Sequence, residues 1–296
     1  MKPSRSEFLT IRGLRYHVRH WGSADAPKVF MVHGWMDVSA SFQFMVDCLQ
    51  RDWHVIAPDW RGFGLTDRPR ADTYWFPDYL GDLDAILDRY APGEAVNLLG
   101  HSMGGNVVTT YAGVRPQRIA RLVNLEGVGM PATRPEQAPR RIEKWLNELR
   151  TPPVMRSYAS QAEVAARLQK TNPRLTDERA AFLSGHWAGE TAPGVWEILG
   201  DPAHKGISPL LYHADEAMAC WSRITAPALY LEARDTDLWR WMGAKEEARL
   251  EIDRRVATIP RVTSRMIENA GHMLHHDQPE ILADIIETFL VGPGAS

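Results

Sequence analysis

The chain has 296 residues, 44% hydrophobic and 24% charged, the make-up of a folded globule rather than of a disordered or membrane-embedded chain. Lys plus Arg (34) nearly balance Asp plus Glu (37), leaving a formal net charge of −3, so no positive field exists to gather nucleic acid or an anionic lipid surface. Two distant cysteines, Cys48 and Cys220, exclude a disulfide framework and a CxxC metal knuckle and are expected to be reduced.

The opening "MKPSRSEFLTIRGLRYHV" is broken by charges and lacks the apolar run of a signal peptide, so a cytoplasmic protein is expected. No stretch approaches the roughly 20 apolar residues of a membrane span. Within residues 8–22 two alternating segments meet at Arg12 and Gly13, which predicts a hairpin at one edge of a sheet. Short apolar runs bounded by turn residues follow: "KVFMVHG" (28–34), "WHVIAPD" (53–59), "AVNLLGH" (95–101), "RLVNLEG" (121–127), "PALYLEA" (227–233) and "TSRMIENAGH" (263–272). They predict buried strands. Helical periods lie between them, clearest in "PEILADIIETFL", and alternating strands and helices imply an α/β fold with a mostly parallel central sheet flanked by helices.

From about Met130 to Trp221 the strand rhythm stops and helical patterns replace it, as in "RRIEKWLNEL" and "PLLYHADEAMACW". The expected organisation is therefore a core of residues 1–129 and 222–296 with an inserted α-helical cap, residues 130–221, above the C-terminal edge of the sheet, where ligands bind in open α/β folds. The tail "VGPGAS" reads as loose.

Chemistry concentrates at "GHSMGGN" (100–106). Gly100, Ser102 and Gly104 fit GxSxG between a strand and a helix, the setting in which a strained turn presents a serine hydroxyl. Serine needs a base and a carboxylate behind that base. His272, in "NAGHMLHHDQPE", follows a strand and a glycine and is the expected base. His275 and His276 read as partly exposed polar residues or packing contacts. His272 and His276 lie one helical turn apart, but without HExxH no metal is expected.

Chain order serine, acid, histidine directs the search for the acid to "LYLEARDTDLW", where Asp235 is nearest the strand end and Asp237 competes. Glu126, ending the strand after the serine helix, is a third option; it reads first as a carboxylate held by backbone amides or lining the substrate pocket. The oxyanion formed on attack needs preorganised N–H donors, expected from the backbone of Met103 and of Trp35 in "HGWMD". The Trp35 indole and Trp187 are expected to line the substrate site, and His33 to act as a structural hydrogen-bonder.

Taken together, "HGW" (33–35), "DWRGFGLTDRP" (59–69), "GHSMGG" (100–105), "LYLEARD" (229–235) and "NAGHMLHHDQPE" (269–280) resemble the α/β-hydrolase superfamily across about residues 8 to 290, in particular serine-hydrolase-like members and small esterases with a helical lid. The resemblance implies Ser102, Asp235 and His272 as a triad, Trp35 and Met103 amides as an oxyanion hole, and no cofactor. In one place the chain departs from the pattern: Glu232 stands where a glycine commonly precedes the acid by three places. Haloalkane dehalogenases and epoxide hydrolases of this fold use an aspartate where Ser102 stands. The expected activity is thus hydrolysis of a small or medium apolar ester through an acyl-enzyme. Amide, thioester or carbon–carbon cleavage, or a ligand receptor on the same fold, are the alternatives.

Overall fold

The computed structural model describes residues 1–292; the last four residues of the tail lie outside the described residues. Strands β1 (Ser4–Ile11), β2 (Leu14–Trp21), β3 (Lys28–Val32), β4 (His54–Pro58), β5 (Val96–His101) and β6 (Ile119–Leu125) come first. The inserted segment carries β7 (Ser157–Tyr158), β8 (Ala188–Ala192) and β9 (Val195–Ile198), after which β10 (Ala228–Ala233) and β11 (Val262–Ile267) complete the main sheet. Helices α1 (Gln43–Cys48), α2 (Phe76–Tyr90) and α3 (Met103–Val114) connect the first strands, and α4 (Ala138–Arg150), α5 (Gln161–Thr171), α6 (Asp177–Trp187) and α7 (Ala214–Trp221) lie between β6 and β10. The remaining helices are α8 (Trp239–Met242), α9 (Lys245–Val256), α10 (Leu274–Asp277) and α11 (Pro279–Val291).

The main sheet has eight strands in the order β1-β2-β4-β3-β5-β6-β10-β11. β2 pairs antiparallel with both β1 and β4, and every other pair is parallel. The expected edge hairpin and the parallel remainder are therefore present, with β2 alone reversed. Alternating side chains build the two faces: Phe30, Val32, Leu98 and Leu122 pack with Leu83 and Ile86 of α2 and with Val107 and Tyr111 of α3. Val29, Met31, Leu99 and Val123 pack with Met45 of α1 and with Leu282 and Ile286 of α11. Burial on both faces explains why these strands read as continuous apolar runs.

Two features of residues 130–221 differ from the helical expectation. The segment contains a small antiparallel sheet, β7-β9-β8, packed around Tyr158, Val164 and Ala188. And α7 is part of the main body: Met218 and Trp221 join the core beside α3, and the helices approach so closely that a Cβ at Gly113 would lie 1.8 Å from the Cys220 carbonyl oxygen. The inserted segment docks on the loop after β4, where Gly64 N–H donates to Leu199 O at 2.7 Å and Asp201 N–H to Gly62 O at 2.8 Å. His204 from the insertion is stacked between Phe63 and Tyr74, with ring centroids 3.7 and 3.5 Å away. Among the described residues, no helix is long and apolar enough to cross a membrane.

Candidate active site

Ser102 sits between β5 and α3 with φ 52° and ψ −115°, a left-handed conformation that costs a non-glycine residue and persists only where its surroundings enforce it. Its N–H donates to Leu125 O of the neighbouring strand at 2.8 Å, and its carbonyl accepts from Asn106 N–H at 3.0 Å. The flanking glycines are required by close approach. A Cβ at Gly100 would lie 2.3 Å from Gly104 O, and one at Gly104 would lie 2.3 Å from Val32 O.

His272 stands on the loop between β11 and α10, and its Nε2 is 3.0 Å from Ser102 Oγ. Its Nδ1 is 2.6 Å from Glu126 Oε2. A carboxylate only accepts, so Nδ1 carries the proton and Nε2 is free to accept from the serine hydroxyl. Glu126 is 1% exposed, with its charge met by donors: Ala233 N–H at 2.8 Å on Oε1 and Thr236 Oγ1–H at 2.9 Å on Oε2. The turn that presents it has φ 58° and is pinned by Asn124, which accepts from Gly127 N–H at 2.6 Å and donates to Gly127 O at 2.7 Å.

The structure corrects the expectation for Asp235. Its backbone reaches the histidine loop, donating to Ala270 O at 2.9 Å, but its side chain turns outward, 48% exposed, to pair with Arg174 of the insertion at 2.7 Å. One imidazole N–H serves one carboxylate, and Glu126 holds that place. Asp237 pairs with Arg240 at 3.4 Å and does not reach the histidine either. Both oxygens of Glu126, expected to line the substrate site, are occupied by protein groups. Trp187, expected to line the substrate site, is half-buried and packs against Tyr158, Val164 and Ala188 of the insertion. His275 and His276 are buried rather than partly exposed, and His276 Nε2 lies 2.6 Å from Ser41 Oγ.

The loop after β3 brings Gly34 against the serine, where an added Cβ would lie 3.2 Å from Ser102 Cβ. His33 secures that loop as a structural hydrogen-bonder: Nδ1–H donates to Gly34 O at 2.8 Å, and Nε2 accepts from Trp60 N–H at 2.9 Å. The Trp35 indole is 51% exposed and donates to His204 O at 3.2 Å. A residue that the sequence reading missed is Trp241 on α8, whose ring meets His272 edge-on at 5.3 Å. Its only signal is an aromatic pair just past the Asp235 loop.

Because His33 Nε2 must accept from Trp60 N–H, the ring has to stay neutral, and burial pulls its pKa down to about 4. Stability from this group is full above the ordinary histidine value near 6.5 and is lost as pH falls below it, because the unfolded chain then takes up a proton the folded ring refuses. Between about pH 7.5 and about pH 5 the loss is ~2 kcal/mol. Asp37, which burial pushes up to about 7, acts in the opposite sense over this window. The His33 share is therefore read by denaturant unfolding as the difference between wild type and His33→Gln, and a variant with an unchanged pH slope would refute it.

The sequence model of the alpha/beta hydrolase fold matches residues 27–279. The chain belongs to the α/β-hydrolase family. It is 25% identical over 279 residues to a serine hydrolase-like protein of Danio rerio, covering 91% of this chain and 83% of that protein. Among solved structures, this α/β-hydrolase resembles the thioesterase domain from the curacin biosynthetic pathway, with a TM-score of 0.85 and 24% identity, covering 97% of this chain and all (100%) of that one. It also resembles an esterase of Mycobacterium tuberculosis, with a TM-score of 0.73 and 17% identity, covering 98% and 92% of the two chains.

Proposed function

We propose that this α/β-hydrolase is a serine esterase acting through Ser102, His272 and Glu126. The observation that carries the reading is the continuous relay of 3.0 Å from serine to imidazole and 2.6 Å from imidazole to carboxylate. Ser102 Oγ attacks the ester carbonyl carbon while His272 Nε2 takes its proton. Glu126 stabilises the imidazolium through Nδ1–H without itself accepting the proton. Collapse of the tetrahedral intermediate expels the alcohol, which takes the proton from His272, and water then clears the acyl-enzyme by the same steps.

The negative oxygen of the intermediate is met by the amides of Met103, at the N-terminus of α3, and Trp35. One detail supports the second donor. The C=O and N–H of a peptide point in opposite directions, so the His33 bond to Gly34 O fixes the side to which the Trp35 N–H faces. Residues 130–221 serve as a cap over this site, with α7 tying the segment to the core. Trp35 and Trp241, both largely exposed near the reacting groups, favour a small or medium apolar ester. The near-balance of charge favours a neutral small molecule over nucleic acid.

A fluorophosphonate probe tests this reading. It is expected to form one covalent adduct, mapped by peptide mass spectrometry to Ser102, and a folded protein that stays unlabelled would overturn the proposal. A panel of activated esters, thioesters and amides, run beside Ser102→Ala, then separates the acyl classes.

A further inference from the structure

Behind the catalytic imidazole, the described residues form a buried group that the relay does not use. Asp37, His101 and His275 each offer one ligand atom, and these atoms lie within 4.8 Å of one another. All three side chains are buried. His101 Nε2 is 2.8 Å from the His272 carbonyl oxygen. A carbonyl only accepts, so Nε2 carries the proton and Nδ1 is left as a lone pair. That Nδ1 has no hydrogen-bond partner among the described residues, and neither does Asp37 Oδ2. The other Asp37 oxygen accepts from Val38 N–H at 2.9 Å. His275 Nε2 is 4.0 Å from Asp37 Oδ2 and 3.3 Å from Ser41 Oγ.

Unpartnered polar atoms facing one another in a dry interior are costly unless a proton, a water or a cation lies among them. Two imidazoles and one carboxylate are the donor set of borderline first-row divalent ions. We propose that Asp37, His101 and His275 form a buried site for such a cation, with Zn2+ as its probe. Tetrahedral ligands at about 2.0–2.2 Å from an ion lie roughly 3.3–3.6 Å apart, so the 4.0 Å between Asp37 and His275 must close by about 0.5 Å, and a pair at the 4.8 Å limit of the group by somewhat more than about 1 Å. The site is distinct from the His272 and His276 pairing considered from the sequence, because His272 is engaged with Ser102 and Glu126, and His276 with Ser41. Its position gives it a handle on the base. His101 bonds the His272 carbonyl directly, and His275 lies on the helix that follows the same loop.

The test uses the full-length protein stripped with a chelator, then equilibrated with Zn2+ alone and followed by calorimetry and by thermal unfolding. The expected result is one ion per chain and a rise in Tm of a few degrees at saturation. In Asp37→Asn, which keeps its shape, and in His275→Gln, the affinity should fall about 100-fold or more, since loss even of a partner that only orients a ligand costs about 10–100-fold. Each variant is first shown by circular dichroism to be folded. Absence of stoichiometric binding, which would leave a buried water as the occupant, overturns the proposal. So does binding that both variants retain at wild-type strength. Because the readouts are binding and Tm, the result stands apart from the fate of the esterase reading.

Discussion

Glu126→Gln is expected to lower kcat by about three to four orders of magnitude, while Asp235→Asn stays within about threefold of wild type. The glutamine keeps the length and shape of the side chain and can still accept at its carbonyl. What it loses is the negative charge that holds Nδ1–H in place and stabilises the imidazolium as Ser102 gives up its proton. The effect should fall on kcat more than on KM, because the charge matters most when the base is protonated. Asp235, half-exposed and paired with Arg174, has no contact with the imidazole to lose. Steady-state kinetics on an activated ester checks both, and the reverse ranking would return the acid to the loop after β10.

The second large effect falls on stability. Asp82 of α2 is fully buried and gathers Arg61 Nε at 2.5 Å and Nη2 at 2.6 Å, Arg12 Nη1 at 3.0 Å and the Tyr16 hydroxyl. Asp82→Ala is expected to cost about 3–5 kcal/mol in denaturant unfolding, because it strands a nearly buried guanidinium whose own desolvation is no longer offset. Asp78, which also pairs with Arg61 at 3.0 Å, limits the loss without abolishing it. The damage extends beyond α2. Arg61 O faces His204 Nε2 at 3.2 Å, so the same substitution loosens the seat of the insertion. A loss under about 1 kcal/mol would show that the cluster merely breaks even.

The parts of the site legible in the sequence are those whose chemistry is local. Gly100, Ser102 and Gly104 announce a tight strand-to-helix turn because no bulkier residue fits there, and His272 follows a strand end directly. The acid was not legible in that way. Glu126 and Asp235 both end a strand beside the histidine, and which one reaches Nδ1 depends on two features remote in sequence: the Arg174 partner that draws Asp235 outward, and the Asn124 clamp that turns Glu126 inward. The burial of His275 was hidden for a similar reason, since its neighbours Asp37 and Ser41 come from more than 230 positions away. In the fold, the periodic strands were readable. The place of α7 was not, because an amphipathic helix does not say which body its apolar face will meet.

The register of β5 and β6 pairs His101 with Leu125, so Ser102 and Glu126 are the next residues along two adjoining rails of one sheet, joined by the 2.8 Å bond from Ser102 N to Leu125 O. Two of the three groups of the proposed relay are thus fixed to a single slab, and only the imidazole stands on a separate loop. Heating short of global unfolding is therefore expected to displace the imidazole before it parts the serine from the carboxylate.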